Sequence, residues 1–230
     1  MLAGGSDREP AKQRYTMKKI YIVGAGGAAK EICHLIMEIN AAAPSYEIQG
    51  FVDVIDKEKT MTVGRLSFPV YPEKKFLKSC SENVCIVFGV GDAANLKKAS
   101  EKFSANKSFE FPNLIYPGVK LHDSVRMGMG NIISAACVFT VDISFGSFNN
   151  INRGVHLGHD CTIGSWNVIN PCAVISGGVV MMDENLIGTC AAVLQYLKIG
   201  SRNIIGAGAV VTKNVANNCC MVGVPAKSKK

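Results

Sequence analysis

The chain has 230 residues, 48% of them apolar, so a sizeable core can form and global disorder is excluded. No apolar run reaches the roughly 18 residues that a membrane-spanning helix needs, so no membrane partner is expected. The formal net charge of +7 suits phosphate-bearing ligands, but the lysines are dispersed apart from Lys227, Lys229 and Lys230, which argues against a nucleic-acid surface.

Residues 1–16 (MLAGGSDREPAKQRYT) are polar and charged with no apolar h-region, so they read as a disordered tail and not as a secretory signal. A cytoplasmic location is the expectation. The nine cysteines, Cys33, Cys80, Cys85, Cys137, Cys161, Cys172, Cys190, Cys219 and Cys220, are odd in number and contain no C-x-x-C. They read as small buried hydrophobes in a reducing compartment.

From residue 18 the sequence KKIYIVGAG describes a buried strand entering a glycine turn, followed by a helix, AAKEICHLIMEINAA. EIQGFVDV and NVCIVFGVGD read as further strands, and AANLKKASEKF as a second helix. This β-α-β order predicts a small parallel sheet in a Rossmann-like α/β domain over residues 17–112. The turn from Gly24 to Ala29 fits G-x-G-x-x-A, and Asp53 follows the second strand. A full dinucleotide domain needs two mononucleotide halves, and this unit ends too early for an NAD enzyme. The turn could hold a nucleotide phosphate at the helix N-terminus, or serve only tight strand–helix packing.

From Val119 the chain divides into sixteen hexads, VKLHDS, VRMGMG, NIISAA and onward to AVVTKN. The third position is large and apolar in every one, from Leu121 through Leu157 and Ile175 to Val211. The fourth is Gly at 128, 146, 158, 164, 188, 200 and 206, with Asn152 and Asn170 in two more. An inward apolar residue followed by a residue that tolerates positive φ predicts short strands wrapping a triangular prism, with the corner at position four. Three hexads make one coil, so residues 113–226 are expected to form about five coils of parallel β-helix.

A small Rossmann-like domain joined through NLIYPGV to such a prism resembles one subfamily of the hexapeptide-repeat acyltransferases. It contains UDP-4-amino-sugar N-acetyltransferases and sialic-acid O-acetyltransferase-like proteins. The similarity spans essentially residues 17–226, through IVGAGGAAKE, GFVDVID, VFGVGDAANLKK, NNINRGVHLGHDCTIG, ISGGV, LIGTCAAV, IIGAGAVVTKNV and VGVPAK. The resemblance implies a left-handed coil and a homotrimer with active sites between subunits. It implies acetyl-CoA as co-substrate and a nucleotide-linked amino sugar as acceptor, held by Gly24, Gly26, Gly27, Asp53 and Asp56. The family turn often carries a His near Ala28, which this chain lacks.

Of the four histidines, His34, His122, His156 and His159, the first falls in the predicted first helix and reads as structural. His159 and Asp160 occupy positions five and six of their hexad, where a corner presents consecutive side chains outward. Amine acetylation needs a base, an imidazole suits that task, and a neighbouring carboxylate steadies the cation that forms. A solvated corner histidine is the plain alternative from the residues alone. The resemblance assigns His159 as base, Asp160 as its enhancer and Asn152 as a polar lining residue. It also implies an oxyanion donor at the Gly177 N–H and a pantetheine track along Gly188, Thr189, Ala207 and Gly208. A second His commonly follows the base by nine residues in the family. Val168 stands there, flanked by Asn167 and Asn170, and Asn167 is the expected substitute in cofactor binding. No metal is expected, because His122, His156 and His159 do not match the spacing of the zinc-binding γ-type carbonic anhydrases, which share the prism. An O-acetyltransferase or a catalytically impaired scaffold are the competing readings.

Overall fold

The structure, a computed structural model, describes residues 17–229; the tail expected over residues 1–16 lies outside them. The N-terminal part runs β1 (Lys18–Val23), α1 (Gly27–Ala42), β2 (Tyr46–Asp53), β3 (Lys59–Val63) and β4 (Leu66–Pro72). It continues α2 (Glu73–Ser79), β5 (Val84–Phe88), α3 (Ala93–Ser104) and β6 (Phe109–Glu110). The strands form one sheet in the order β3-β4-β2-β1-β5-β6. All neighbours are parallel except β3 and β4, which form an antiparallel hairpin at the edge. Parallel strands need cover on both faces. Here α1 packs on one side over Ile20, Ile22 and Phe51. On the other, Phe76 of α2 and Leu96 and Phe103 of α3 pack over Val23, Val52 and Ile86. The β3–β4 hairpin and α2 were not foreseen. The hairpin turns at Gly64, whose φ is +59°.

The rest is a left-handed parallel β-helix of two-residue strands in three stacked sheets. The first face carries Leu114–Ile115, Ile132–Ile133, Asn150–Ile151, Val168–Ile169, Leu186–Ile187 and Ile204–Ile205, ending at Cys220–Val222 and Lys227–Ser228. The second stacks Val138–Phe139, His156–Leu157, Val174–Ile175, Ala192–Val193 and Val210–Val211. The third stacks Arg126–Met127, Ser144–Phe145, Thr162–Ile163, Val180–Met181 and Lys198–Ile199. The third-position residues from Ile133 to Val211 are buried along the axis. Leu121 and Met127 are only partly buried, and residues 119–124 form no strand.

The corners differ from expectation in an informative way. The left-handed residue is at position six of each hexad, every sixth residue from Gly130 to Gly208, and includes Phe148, Trp166 and Tyr196. None of the position-four glycines has positive φ. They are required by close approach instead. A Cβ on Gly158 would lie 2.8 Å from Gly177 Cα, and one on Gly188 would lie 2.7 Å from the Ile205 carbonyl oxygen. The left-handed corner residues cost about 1–2 kcal/mol each when they are not glycine, and the hydrogen bonds between coils hold them there.

One edge of the first face carries a column of asparagines that the hexad reading overlooked. Asn131, Asn149, Asn167, Asn185 and Asn203 are all buried. Each Oδ1 from Asn131 to Asn167 accepts the next asparagine's backbone N–H at 2.9 Å and its Nδ2 at 3.0–3.1 Å. The column begins at Asn113 and ends where Asn203 Oδ1 accepts from Cys219 N–H at 2.7 Å. Four of the cysteines, Cys33, Cys85, Cys137 and Cys161, are buried as expected, and burial pushes the Cys33 thiol up to about 11. Cys172 and Cys190 depart from that reading, because both sit exposed at left-handed corners.

The two parts are held together across the first face. Ile132 packs into the α1-side core, and Phe148 and Val168 into the α3-side core. Trp166 Nε1 donates to Ser100 Oγ at 2.8 Å, and Lys97 Nζ lies 5.1 Å from the Trp166 ring centroid. The hydrogen bond from Lys97 to Glu184, 2.8 Å long, holds the lysine above its ordinary pKa range. Arg153 pairs with Glu31 of α1 at 2.8 Å. The asparagine column yields a direct expectation. Asn167→Ala would leave buried N–H donors on Asn185 unpaired, while Asn149 Oδ1 keeps the backbone N–H of residue 167, lowering unfolding free energy by about 2 kcal/mol or more in urea titrations. A loss under about 0.5 kcal/mol would show that the column is dispensable.

Candidate active site

Two edges of the second face carry the residues of interest. On the edge shared with the third face, the coil turns at His159 and Asp160. Asp160 takes the left-handed conformation, with φ 58°, which a short polar residue tolerates. Its N–H donates to Val141 O at 3.1 Å, and His159 O accepts from Gly178 N–H at 2.7 Å, so the corner is pinned to the coils before and after it. The turn brings Asp160 Oδ2 to 2.7 Å from His159 Nδ1. A carboxylate there orients Nδ1–H toward itself and leaves the Nε2 lone pair free. Both side chains are more than half exposed.

The imidazole lies over Gly177 of the next coil. A Cβ on Gly177 would stand 2.6 Å from His159 Nε2 and 2.7 Å from Cε1. The Gly177 N–H donates to no group among the described residues, whereas its carbonyl accepts from Tyr196 N–H at 3.0 Å. The edge therefore joins a carboxylate-oriented imidazole to a free backbone donor. That pair can take a proton from a nucleophile and steady charge on an oxygen.

Gly188, Thr189, Ala207 and Gly208 lie on the opposite edge of the same face, between the first and second sheets. Thr189, Ala207 and Gly208 are exposed, and Thr189 O accepts from Gly208 N–H at 2.8 Å. Asn152 is on this edge too, with its Nδ2 3.3 Å from Asn170 Oδ1. Within one chain, His159 and the residues expected to hold pantetheine are thus not brought together.

Asn167 requires correction as a cofactor ligand. Its side chain is fully buried and spent on Asn149 and Asn185 in the asparagine column. Its neighbour Val168 points out of the prism but is covered by the N-terminal part. His34 is exposed on α1, 3.7 Å from Glu38, and His156 is exposed on the second face. Among the described residues no three His, Cys, Asp or Glu side chains converge as a metal site.

In the N-terminal part, a cleft of about 400 Å³ opens at the carboxyl ends of β1 and β2. Gly24, Asp53, Val54, Asn95, Lys98 and Lys102 are among its lining residues. Gly24 has φ +102°, and a Cβ on it would lie 2.8 Å from the Gly89 carbonyl oxygen, so glycine is required by both conformation and contact. Asp53 Oδ1 accepts the Val54 N–H at 2.8 Å. Gly26, Gly27 and Asp56 are exposed and outside the lining of this cleft. Lys98 and Lys102 were overlooked, although their four-residue spacing in a predicted helix places them on one face. Lys102 pairs with the buried Glu73.

Residues 19–103 match the family described as the PglD N-terminal domain. No curated protein matches the chain in sequence. Among solved structures, PerB from Caulobacter crescentus in complex with CoA and GDP-perosamine is 25% identical, with a TM-score of 0.81, covering 94% of this chain and 99% of that one. The acetyltransferase domain of PglB from Neisseria gonorrhoeae FA1090 in complex with acetyl coenzyme A is 27% identical, with a TM-score of 0.82, covering 93% of this chain and 100% of that one. WeeI from Acinetobacter baumannii AYE, 24% identical with a TM-score of 0.81 over 93% of this chain and 100% of that one, shares the fold. The chain shares the left-handed β-helix fold of these structures and is similar over nearly its whole length to PerB and to the acetyltransferase domain of PglB. No described helix is long and apolar enough to cross a membrane.

The seat of the imidazole is open to a direct check. Gly177→Ala must drive the ring off the next coil and break its bond to Asp160, shifting the His159 ring resonances in NMR spectra. Unchanged resonances would contradict this geometry.

Proposed function

We propose that the protein transfers the acetyl group of acetyl-CoA to the amine of a nucleotide-linked amino sugar, with His159 as general base. The observation that carries this reading is the His159–Asp160 pair seated against Gly177, whose N–H donates to no group among the described residues. His159 Nε2 takes the proton from the attacking nitrogen while Asp160 stabilises the imidazolium. The Gly177 N–H donates to the thioester oxygen as negative charge gathers there. The imidazolium then returns a proton to the departing CoA thiolate, so the base is restored in each cycle.

Residues 17–112 hold the nucleotide in this scheme and residues 113–226 carry out acetyl transfer. Gly24 and Asp53 take part in holding the nucleotide, joined by Lys98 and Lys102, whose ammonium groups suit a diphosphate. The relative that binds GDP-perosamine supports a 4-amino sugar, and a UDP-4-amino-4,6-dideoxy sugar fits the resemblance. Co-substrates of this kind imply action in the cytoplasm.

The active unit is a homotrimer. The first face is covered by the chain's own N-terminal part from Ile132 to Val168, with Ile204 left 51% exposed beyond it, and the third presents Arg126, Ser144, Thr162, Val180 and Lys198. The second presents Val138 and Val174, 49% and 39% exposed, with the exposed His156 between them and Ala192 and Val210 beyond. Packing these apolar faces around a three-fold axis sets one subunit's His159 edge against the next subunit's edge of Asn152, Gly188, Thr189, Ala207 and Gly208. The acetyl-CoA site is completed between subunits.

Thiol release from acetyl-CoA tests the chemistry, with UDP- and GDP-linked 4-amino sugars as acceptors and free sialic acid as a hydroxyl acceptor. Turnover is expected on an amino-sugar nucleotide, and His159→Ala lowers kcat by about 10²–10⁴ with a smaller change in KM. Turnover on sialic acid alone would replace amine transfer with O-acetylation. Wild-type kcat in His159→Ala would remove the base.

A further inference from the structure

The edge that carries His159 continues one coil beyond Gly177 and Gly178 to Tyr196. Tyr196 is 69% exposed and takes the left-handed corner conformation, with φ 58°. A bulky side chain rarely adopts that conformation, and here it gains little burial in return. The ring nevertheless packs on the preceding coil. A Cβ on Gly178 would stand 2.5 Å from Tyr196 Cε1 and 3.3 Å from Cγ, so the phenol lies against the Gly178 backbone. The His159 imidazole lies against Gly177 in the same way, from the coil before.

The Gly177–Gly178 dipeptide therefore seats two rings, an imidazole from one side and a phenol from the other. A side chain at either glycine would evict one of them. The same dipeptide carries the Gly177 N–H, the donor assigned to the thioester oxygen. Coils are about 4.8 Å apart, so the phenol closes the edge within one coil of that donor. An acetyl methyl fits such a gap, whereas each added methylene brings an acyl chain into the ring. The aromatic face also suits the thioester sulfur and methyl, which are apolar and polarizable.

We propose that Tyr196 is a specificity-determining residue that forms the wall of the acyl slot opposite His159 and restricts transfer to short acyl groups. The proposal rests on the acyltransferase reading above, and the test separates the two. Wild type, Tyr196→Phe and Tyr196→Gly are assayed with acetyl-, propionyl- and butyryl-CoA, and the kcat/KM ratio of butyryl to acetyl is compared. Glycine is chosen because it accepts the left-handed corner without strain. Tyr196→Phe keeps the wild-type ratio, because the ring and not the hydroxyl is the wall. Tyr196→Gly raises the ratio at least about tenfold, in the range one or two methylenes contribute to pocket selectivity, and the pH profile set by His159 stays unchanged. An unchanged ratio in Tyr196→Gly, with acetyl-CoA still used, overturns the role of Tyr196 alone. Failure of wild type to use any acyl-CoA overturns the activity and the proposal with it.

Discussion

The close stacking of coils, about 4.8 Å apart, is the constraint from which the rest of the molecule follows. It demands an apolar residue at the third position of each hexad, because those side chains fill the prism axis. It demands glycine wherever the backbone of the next coil approaches the fourth position, as Gly158 and Gly188 do. It also places the sixth residue of each hexad, at the corner, in the left-handed region, stabilised by bonds to the coils on either side. A corner under this constraint turns its two side chains outward together. His159 and Asp160 gain their 2.7 Å contact as a consequence of the turn, without a loop built for the purpose.

The three faces of the prism have divided their tasks by composition. The first is closed by the chain's own α/β part through Phe148, Val168, Trp166 and the Lys97–Glu184 pair. The third is polar apart from Val180. The second is apolar apart from His156 and is uncovered, and the two groups of proposed acetyl-transfer residues sit on its opposite edges. The proposed trimer resolves both facts at once, since covering the apolar face and completing the site require the same packing. The nucleotide cleft at Gly24 and Asp53 lies in the other layer, so the acceptor spans both parts of the molecule in this account.

The prism was legible because its determinant is a strict period in the sequence, and the inward side chains leave little choice of residue. The corner position was misread because Gly at position four suggested positive φ, when the physical demand there is absence of a Cβ. The asparagine column was missed for a related reason. Its period is eighteen residues, one full coil, and it shows only when hexads are read in threes. That same column explains why Asn167 could not serve the cofactor, for a residue adjacent in sequence to an outward position can be wholly committed inside. The β3–β4 hairpin escaped because Pro69 falls inside β4, and a proline within an apolar run argues against a strand. Tyr196 gave no local signal, since its place against Gly178 depends on contact between coils.

The central claim is that the base and the acetyl-CoA track come from different subunits, and subunit mixing tests it most directly. His159→Ala lacks the base but keeps the opposite edge, whereas Ala207→Trp keeps the base and blocks the proposed track. Each variant alone should be inactive. Co-expressed and randomly mixed, they should regain about a quarter of wild-type turnover, because each mixed trimer holds one intact interface. Mixtures no more active than either parent would contradict a shared site and return the whole reaction to a single chain.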